Sequence, residues 1–315
     1  MKKVLITGGV GFVGSSLANR LLQNYIVYII DDLSMGNVNN LNKSKNIYFV
    51  QGSVTDKNLM TKLIKENNFE YIFHLAAIAS VADSVERPLD THKVNFDSVL
   101  MLLELCREYQ KNLKRLVFSS SAAVYGDEET LPKKEESVIR PLTPYAIDKF
   151  SAEQYVLDYY SLYGIPTSAV RFFNVYGPNQ NSSSPYSGVI SIIVDNFKKI
   201  KEGKIAHFTI YGDGEQSRDF VYIEDVLDAL IIVATSDNSL GTQYNVGTGT
   251  GTTLNCLIDT VSSILKINLP IIYEESRAGD IKESLADITK LGKIGFNPKF
   301  DIVTGMNDYL KAKFQ

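Results

Sequence analysis

The stretch VLITGGVGFVGSSLANRLL, residues 4–22, decides the fold. A short apolar run stops at a glycine-rich turn and gives way to apolar residues at helical spacing, so it reads as strand, tight turn and helix. Gly8, Gly11 and Gly14 let the backbone turn sharply and approach a diphosphate, which the start of the following helix receives on unpaired N–H groups. Phe12 and Val13 open that helix. A glycine turn is also a common plain connection between strand and helix, so more of the chain has to agree.

It does. KVLITG, YIVYIID, NIYFVQG, YIFHLAA, KRLVFSSS and TSAVRFFN are short apolar runs that alternate with helical patterns through the first half. Continuous apolar strands between helices predict a parallel sheet covered on both faces. Gly164 and Pro166 mark the end of the long helical stretch that starts near Tyr145. After Asn174 the rhythm breaks into GPNQNSSSPYSG, residues 177–188, while YNVGTG at 244–249 looks like another buried strand. The expected organisation is an α/β Rossmann-type, doubly wound parallel sheet over residues 1–175, rejoined by a strand near 243–248. A smaller interlocked α/β substrate lobe occupies most of 176–315.

The chain has 315 residues, 32 basic and 36 acidic, with 44% hydrophobic content. That supports one large or two interlocked cores and offers no basic patch for nucleic acid. No signal peptide and no apolar run near ~18 residues are present, so a cytoplasmic location without membrane contact is expected. Cys106 and Cys256 lie in apolar helical patterns and read as buried free thiols. The three histidines are scattered, and no metal is expected.

The second apolar strand ends at Asp31 and Asp32. An acid there accepts hydrogen bonds from an adenosine ribose and repels a 2′-phosphate, which favours NAD over NADP. Asp32 reads equally well as a solvated strand end. Tyr145 and Lys149, four residues apart, share one helix face, where an ammonium favours the phenolate and lowers the tyrosine pKa. Ser121, at the end of a predicted strand, can hydrogen-bond the oxygen whose proton Tyr145 removes. An ordinary surface pair on a helix has the same spacing as Tyr145 and Lys149; FSSSAAVYG upstream favours chemistry.

TGGVGFVG, HLAA, SSSAAVYG, YAIDK, RFFNVYGP, GDGEQSRDFVYIEDV and RAGDIKESLAD occur in this order. With them the chain resembles the extended short-chain dehydrogenase/reductases, specifically the NAD-dependent nucleotide-sugar epimerase/dehydratase family, over nearly its whole length. The resemblance implies a homodimer built on VNFDSVLMLLELCREYQ and YAIDKFSAEQYVLDYYSLY, whose apolar surface otherwise reads as core packing. It implies NAD contacts from Ser53, Val54, Leu75, Ala76, Ala77, Ala79, Ser119 and Phe173, beside the glycine loop, Asp31, Asp32, Tyr145 and Lys149. It implies UDP-sugar contacts from Ser121, Tyr145, Asn174, Val189, Arg218, Arg277, Asp280 and Ser284. Taken alone, each arginine could be a surface charge, the more common fate of an isolated arginine.

Two departures narrow the expectation. Similar 4,6-dehydratases and decarboxylases place acids just after the catalytic serine or threonine; here Ala122 and Ala123 stand there, leaving a 4-keto sugar nothing but hydride return. Ser284 stands where epimerases restricted to plain hexoses carry a tyrosine, which leaves room for an N-acetyl group at C2. The expected activity is a 4-epimerase for UDP-N-acetylglucosamine/UDP-N-acetylgalactosamine and also UDP-glucose/UDP-galactose. A UDP-hexuronic acid 4-epimerase and a non-catalytic NAD-binding sensor are the alternatives. Ser53 replaces a common acid and Phe172 a common tyrosine, both away from the chemistry.

Overall fold

The computed structural model describes residues 1–180, 188–276 and 281–314. Its first half winds through β1 (Lys2–Thr7), α1 (Phe12–Leu21), β2 (Tyr25–Asp31), β3 (Ile47–Gln51), α2 (Lys57–Glu66) and β4 (Phe69–His74). Next come α3 (Val81–Glu86), α4 (Pro88–His92), a π-turn at Lys93–Asp97, α5 (Ser98–Tyr109), β5 (Arg115–Ser121), α6 (Pro144–Tyr163) and β6 (Thr167–Phe172). The second half adds β7 (Asn174–Tyr176), α7 (Val189–Lys201), β8 (Phe208–Tyr211), β9 (Ser217–Tyr222), α8 (Ile223–Thr235), β10 (Thr242–Val246) and β11 (Gly251–Thr253). It closes with α9 (Leu254–Leu265), β12 (Ile271–Glu274), β13 (Glu283–Ser284), α10 (Thr289–Gly292) and α11 (Ile302–Phe314).

Seven strands form one sheet in the order β10-β6-β5-β4-β1-β2-β3, and every neighbouring pair is parallel. The strand side chains explain why. Val4 and Ile6 of β1 face one core with Leu17 of α1 and Val226 of α8, while Leu5 faces the other with Leu103 of α5 and Val156 of α6. Both faces are covered, so these strands are apolar throughout rather than alternating. The winding reverses between β1 and β4, which opens a crevice at their carboxyl ends.

The second half is laced into the first. β10 pairs with β6 at the sheet edge, and α8 packs beside α1. Outside that sheet, β9 is the hub of a small one, parallel to β7 and β13 and antiparallel to β11. Cys106 is buried, but Cys256 is exposed, contrary to the sequence expectation. Cys256 sits in the first turn of α9, whose buried stripe is Leu254, Leu257, Ile258 and Val261. No helix among the described residues is long and apolar enough to cross a membrane.

Candidate active site

The β1–α1 turn is a cradle that only glycine builds. Gly8 has φ of +68°, and a Cβ on it would lie 2.8 Å from the Ala76 backbone. A Cβ on Gly14 would come within 2.2 Å of the Gly8 carbonyl oxygen, so Gly14 sets how closely α1 approaches the sheet. Gly11 caps α1 with no side chain. The N–H groups of the first helical turn lack carbonyl partners, which is the donor set a dinucleotide diphosphate satisfies.

Asp31 stiffens this cradle from β2. Its Oδ2 accepts from Val10 N at 3.1 Å and its Oδ1 from Leu33 N at 2.9 Å. Burial raises its pKa, and the N–H groups of Leu33, Val10 and Gly11 oppose the rise. With three donors on about four lone-pair sites, the carboxylate keeps room for a ribose hydroxyl. Asp32 is exposed and accepts from Ser34 N at 3.0 Å.

The opposite wall follows β4. Thr7 Oγ1 accepts from Leu75 N and Ala76 N, both at 3.1 Å, so its proton is assigned to His74 Nδ1 at 3.0 Å. Burial, reinforced by Lys149, pushes the His74 pKa down to about 3, and the ring is a neutral spacer. Asn95, in the π-turn, accepts from Ile78 N at 2.9 Å and donates to Ile78 O at 3.0 Å. These bonds shape a cavity of about 980 Å³ lined by Gly8, Gly11, Phe12, Val13, Gly14, Asp31, Asp32, Ser53, Val54, Leu75, Ala76, Ala77 and Ala79. Ser53 Oγ also accepts from Thr55 N at 3.2 Å. The shape and donors fit a dinucleotide.

The same cavity is lined by groups the sequence reading missed: Ser34–Asn37, Asp83, Arg87, Asn179 and Gln180. The turn-forming SMGN after β2 was a visible signal for the first set. Asp83 and Arg87 carried none, because α3 is a short helix recognisable only from its contacts.

Tyr145 and Lys149 are set by the start of α6. Thr143 caps it, accepting from Ala146 N, and Pro144 takes the first helical position. Lys149 is buried and its Nζ donates to Ser119 O at 2.7 Å. Burial drives its pKa down to about 7, with Asp148 opposing. The Tyr145 pKa is raised, first by burial, while a hydrogen bond with Ser121 lowers it. This differs from the expected depression by Lys149: the lysine reaches for the Ser119 carbonyl, and desolvation of the phenol outweighs its hydrogen bond with Ser121. Ser119, Tyr145, Lys149 and Phe173 are not among the residues lining the large cavity. Phe173 packs with Val124, Tyr125 and Ala286.

In the small sheet, Ser284 of β13 stands opposite Arg218 of β9. Arg218 Nη1 donates to Ser217 O at 2.9 Å and Lys282 O at 3.2 Å. Asn174 is exposed at the start of β7, and Val189 opens α7 half-buried. Arg277 and Asp280 lie outside the described residues. Asp219, missed from sequence, is fully buried. It accepts from Thr248 N at 2.7 Å, Gly249 N at 2.9 Å and Ala286 N at 3.2 Å, clamping the Ser284 segment to β9. On its other side, Lys133 N donates to Leu285 O and Asp287 N to Lys133 O, both at 2.8 Å. No group of three or more potential metal ligands occurs among the described residues.

This sheet order, glycine cradle and tyrosine–lysine–serine set are those of a short-chain dehydrogenase/reductase. Residues 4–247 match the model described as the NAD dependent epimerase/dehydratase family, and the chain belongs to that family. A UDP-N-acetylglucosamine 4-epimerase from Methanobrevibacter ruminantium M1, solved with UDP-N-acetylmuramic acid, is 39% identical with a TM-score of 0.92, covering 99% of this chain and 98% of that one. The UDP-glucose 4-epimerase of Thermotoga maritima, solved with UDP-glucose, is 35% identical with a TM-score of 0.91 and the same coverage. A UDP-glucose 4-epimerase of Mycolicibacterium smegmatis is 33% identical over 310 residues, 96% of each chain.

Proposed function

We propose that the protein is an NAD-dependent UDP-sugar 4-epimerase that interconverts UDP-N-acetylglucosamine with UDP-N-acetylgalactosamine, and UDP-glucose with UDP-galactose. The observation that carries the reaction type is the turn after Ser121. Its first residues are Ala122 and Ala123, and the next acids along the chain are engaged elsewhere: Asp127 with Arg140 and Glu128 with Lys133. With alanines rather than an acid directly after Ser121, nothing in that turn protonates a leaving hydroxyl, and a sugar oxidised at C4 is left to reduction.

In this reading Tyr145 removes the C4 hydroxyl proton, Ser121 hydrogen-bonds the same oxygen, and protonated Lys149 favours the phenolate. NAD, when bound, accepts the C4 hydride and returns it. The glycine cradle and Asp31 would hold it, with Ser53, Val54, Leu75, Ala76, Ala77 and Ala79 along the wall. Arg218 would take the substrate diphosphate as a charged fork, and re-presentation of the opposite sugar face before hydride return gives the epimer. The half-buried serine at 284 supports room for an acetamido group, and the 39% identical acetylhexosamine epimerase supports the same choice. Exposed Ile147, Tyr155 and Leu162 on α6, one of the two helices named from the sequence, support a homodimer, which a monomeric mass in solution would remove.

The test is turnover of UDP-N-acetylglucosamine, UDP-glucose and UDP-glucuronic acid side by side, without added reductant, with C4 epimers separated by chromatography. Conversion of the first two is expected. Conversion of the uronic substrate alone, or of UDP-glucose alone, overturns the substrate assignment, and NAD binding with no turnover makes the protein a sensor.

A further inference from the structure

Behind the reacting groups lies a fully buried polar network with no place in the proton or hydride steps. Arg171 of β6 grips Glu153 of α6 through two bonds, Nε to Oε2 at 2.9 Å and Nη2 to Oε1 at 2.6 Å. Its Nη1 donates to the Tyr125 hydroxyl at 2.8 Å and to Glu135 O at 3.0 Å. The Tyr125 hydroxyl in turn donates to Asn245 Oδ1 at 2.7 Å. Asn245, on β10, donates its backbone N–H to Glu135 Oε1 at 2.8 Å and its Nδ2 to Lys133 O at 2.8 Å.

The attachments fall beside the chemistry. Glu153 is one helical turn beyond Lys149, on the same face of α6. Tyr125 closes the 3₁₀ turn Ala122–Tyr125, which Ser121 opens by accepting from Ala123 N at 3.1 Å. One guanidinium therefore ties the helix of Tyr145 and Lys149 to the turn of Ser121. A tyrosine kept only to fill this space needs no hydroxyl, since phenylalanine has the same ring.

We infer that the Tyr125 hydroxyl is a positioning group for the epimerisation, holding the Ser121 turn in register with α6 through Arg171 and Asn245. The inference rests on Ser121 and Tyr145 being the reacting pair. Arg171 and Glu153 are poor probes, because removing either partner of a buried ion pair strands the other. Tyr125→Phe deletes one hydroxyl and keeps the ring.

The experiment is a double-mutant cycle of Tyr125→Phe with Ser121→Ala, reading kcat, KM and bound NAD below the unfolding midpoint of all four proteins. A positioning hydroxyl predicts that Tyr125→Phe lowers kcat about tenfold in the wild-type background, with KM and NAD content unchanged. In the Ser121→Ala background it changes kcat by less than about twofold. Equal losses in both backgrounds, a kcat within about twofold of wild type, or a Tyr125→Phe protein that does not fold would each overturn the inference. Ser121→Ala with wild-type turnover would instead show that Ser121 is not a reacting group, separating that failure from the others.

Discussion

Lys149 makes a prediction about stability that involves no substrate. An ordinary lysine titrates near 10.5, but burial brings this one down to about 7. The difference corresponds to roughly 5 kcal/mol against the charged form in the folded protein. Between these values the unfolded chain binds more protons than the folded one, so stability rises with pH. Below about 7 both states hold the proton and the folded protein bears the whole penalty; above 10.5 neither does. Lys149→Met keeps the length and removes the charge, but leaves Ser119 O without its 2.7 Å donor, a loss of about 1 kcal/mol. The nucleotide-free variant should therefore exceed wild type by about 4 kcal/mol at pH 6, and the advantage should vanish towards pH 10. Urea unfolding of both proteins across that range measures it; His74, whose depression Lys149 reinforces, titrates well below it. Parallel curves would refute a depressed lysine, and a variant less stable at pH 6 would show that the ammonium is well solvated.

Tyr145→Phe should lower kcat by about 10²- to 10⁴-fold while bound NAD, assayed by absorbance after denaturation, stays at the wild-type level. Gly14→Ala forces a Cβ to within 2.2 Å of Gly8 O; it should destabilise the fold by about 1–3 kcal/mol in thermal or urea melts and abolish co-purification of NAD. Ser284→Tyr should cut kcat/KM for UDP-N-acetylglucosamine by about 10²-fold and leave UDP-glucose within about threefold; parallel losses for both sugars would mean that residue 284 does not face C2.

The parts legible in the sequence are those whose physics is local. β1, β2, β4, β5 and β6 are apolar because both sheet faces are covered, and the Gly8, Gly11 and Gly14 spacing answers to contacts within one turn. Pro144 and Gly164 bracket α6 as first helical residue and left-handed cap. The small sheet was not legible. β7, β11 and β13 are two or three residues long, and they are strands only because β9 meets them from positions more than 25 residues away. Strand preference is set by such cross-strand neighbours rather than by the residue itself. The helix entered at Val94 in the sequence pattern begins earlier and irregularly, through α3, α4 and a π-turn that turns Asn95 toward the loop after β4.

The same division holds inside the site. Spacing places Tyr145 and Lys149 on one face of α6, but it cannot say which acceptor the ammonium chooses or how much water either group keeps. Both answers come from β5: Ser119 supplies the carbonyl and Ser121 the hydroxyl partner of the phenol. Burial then raises the tyrosine and lowers the lysine, which drives the two titrations apart and puts the lysine's below the tyrosine's. A lysine near pH 7 beside a protonated phenol favours little net charge in the free site. The phenolate that the reaction requires is then formed only when an arriving positive charge or a relayed proton favours it, so the base is armed by binding rather than held ready. A pH profile of kcat/KM whose alkaline limb lies near 7, where Lys149 loses its proton, and moves lower when Asp148, the charge that opposes Lys149 depression, is changed to asparagine would support this; a limb that the substitution leaves in place would refute it.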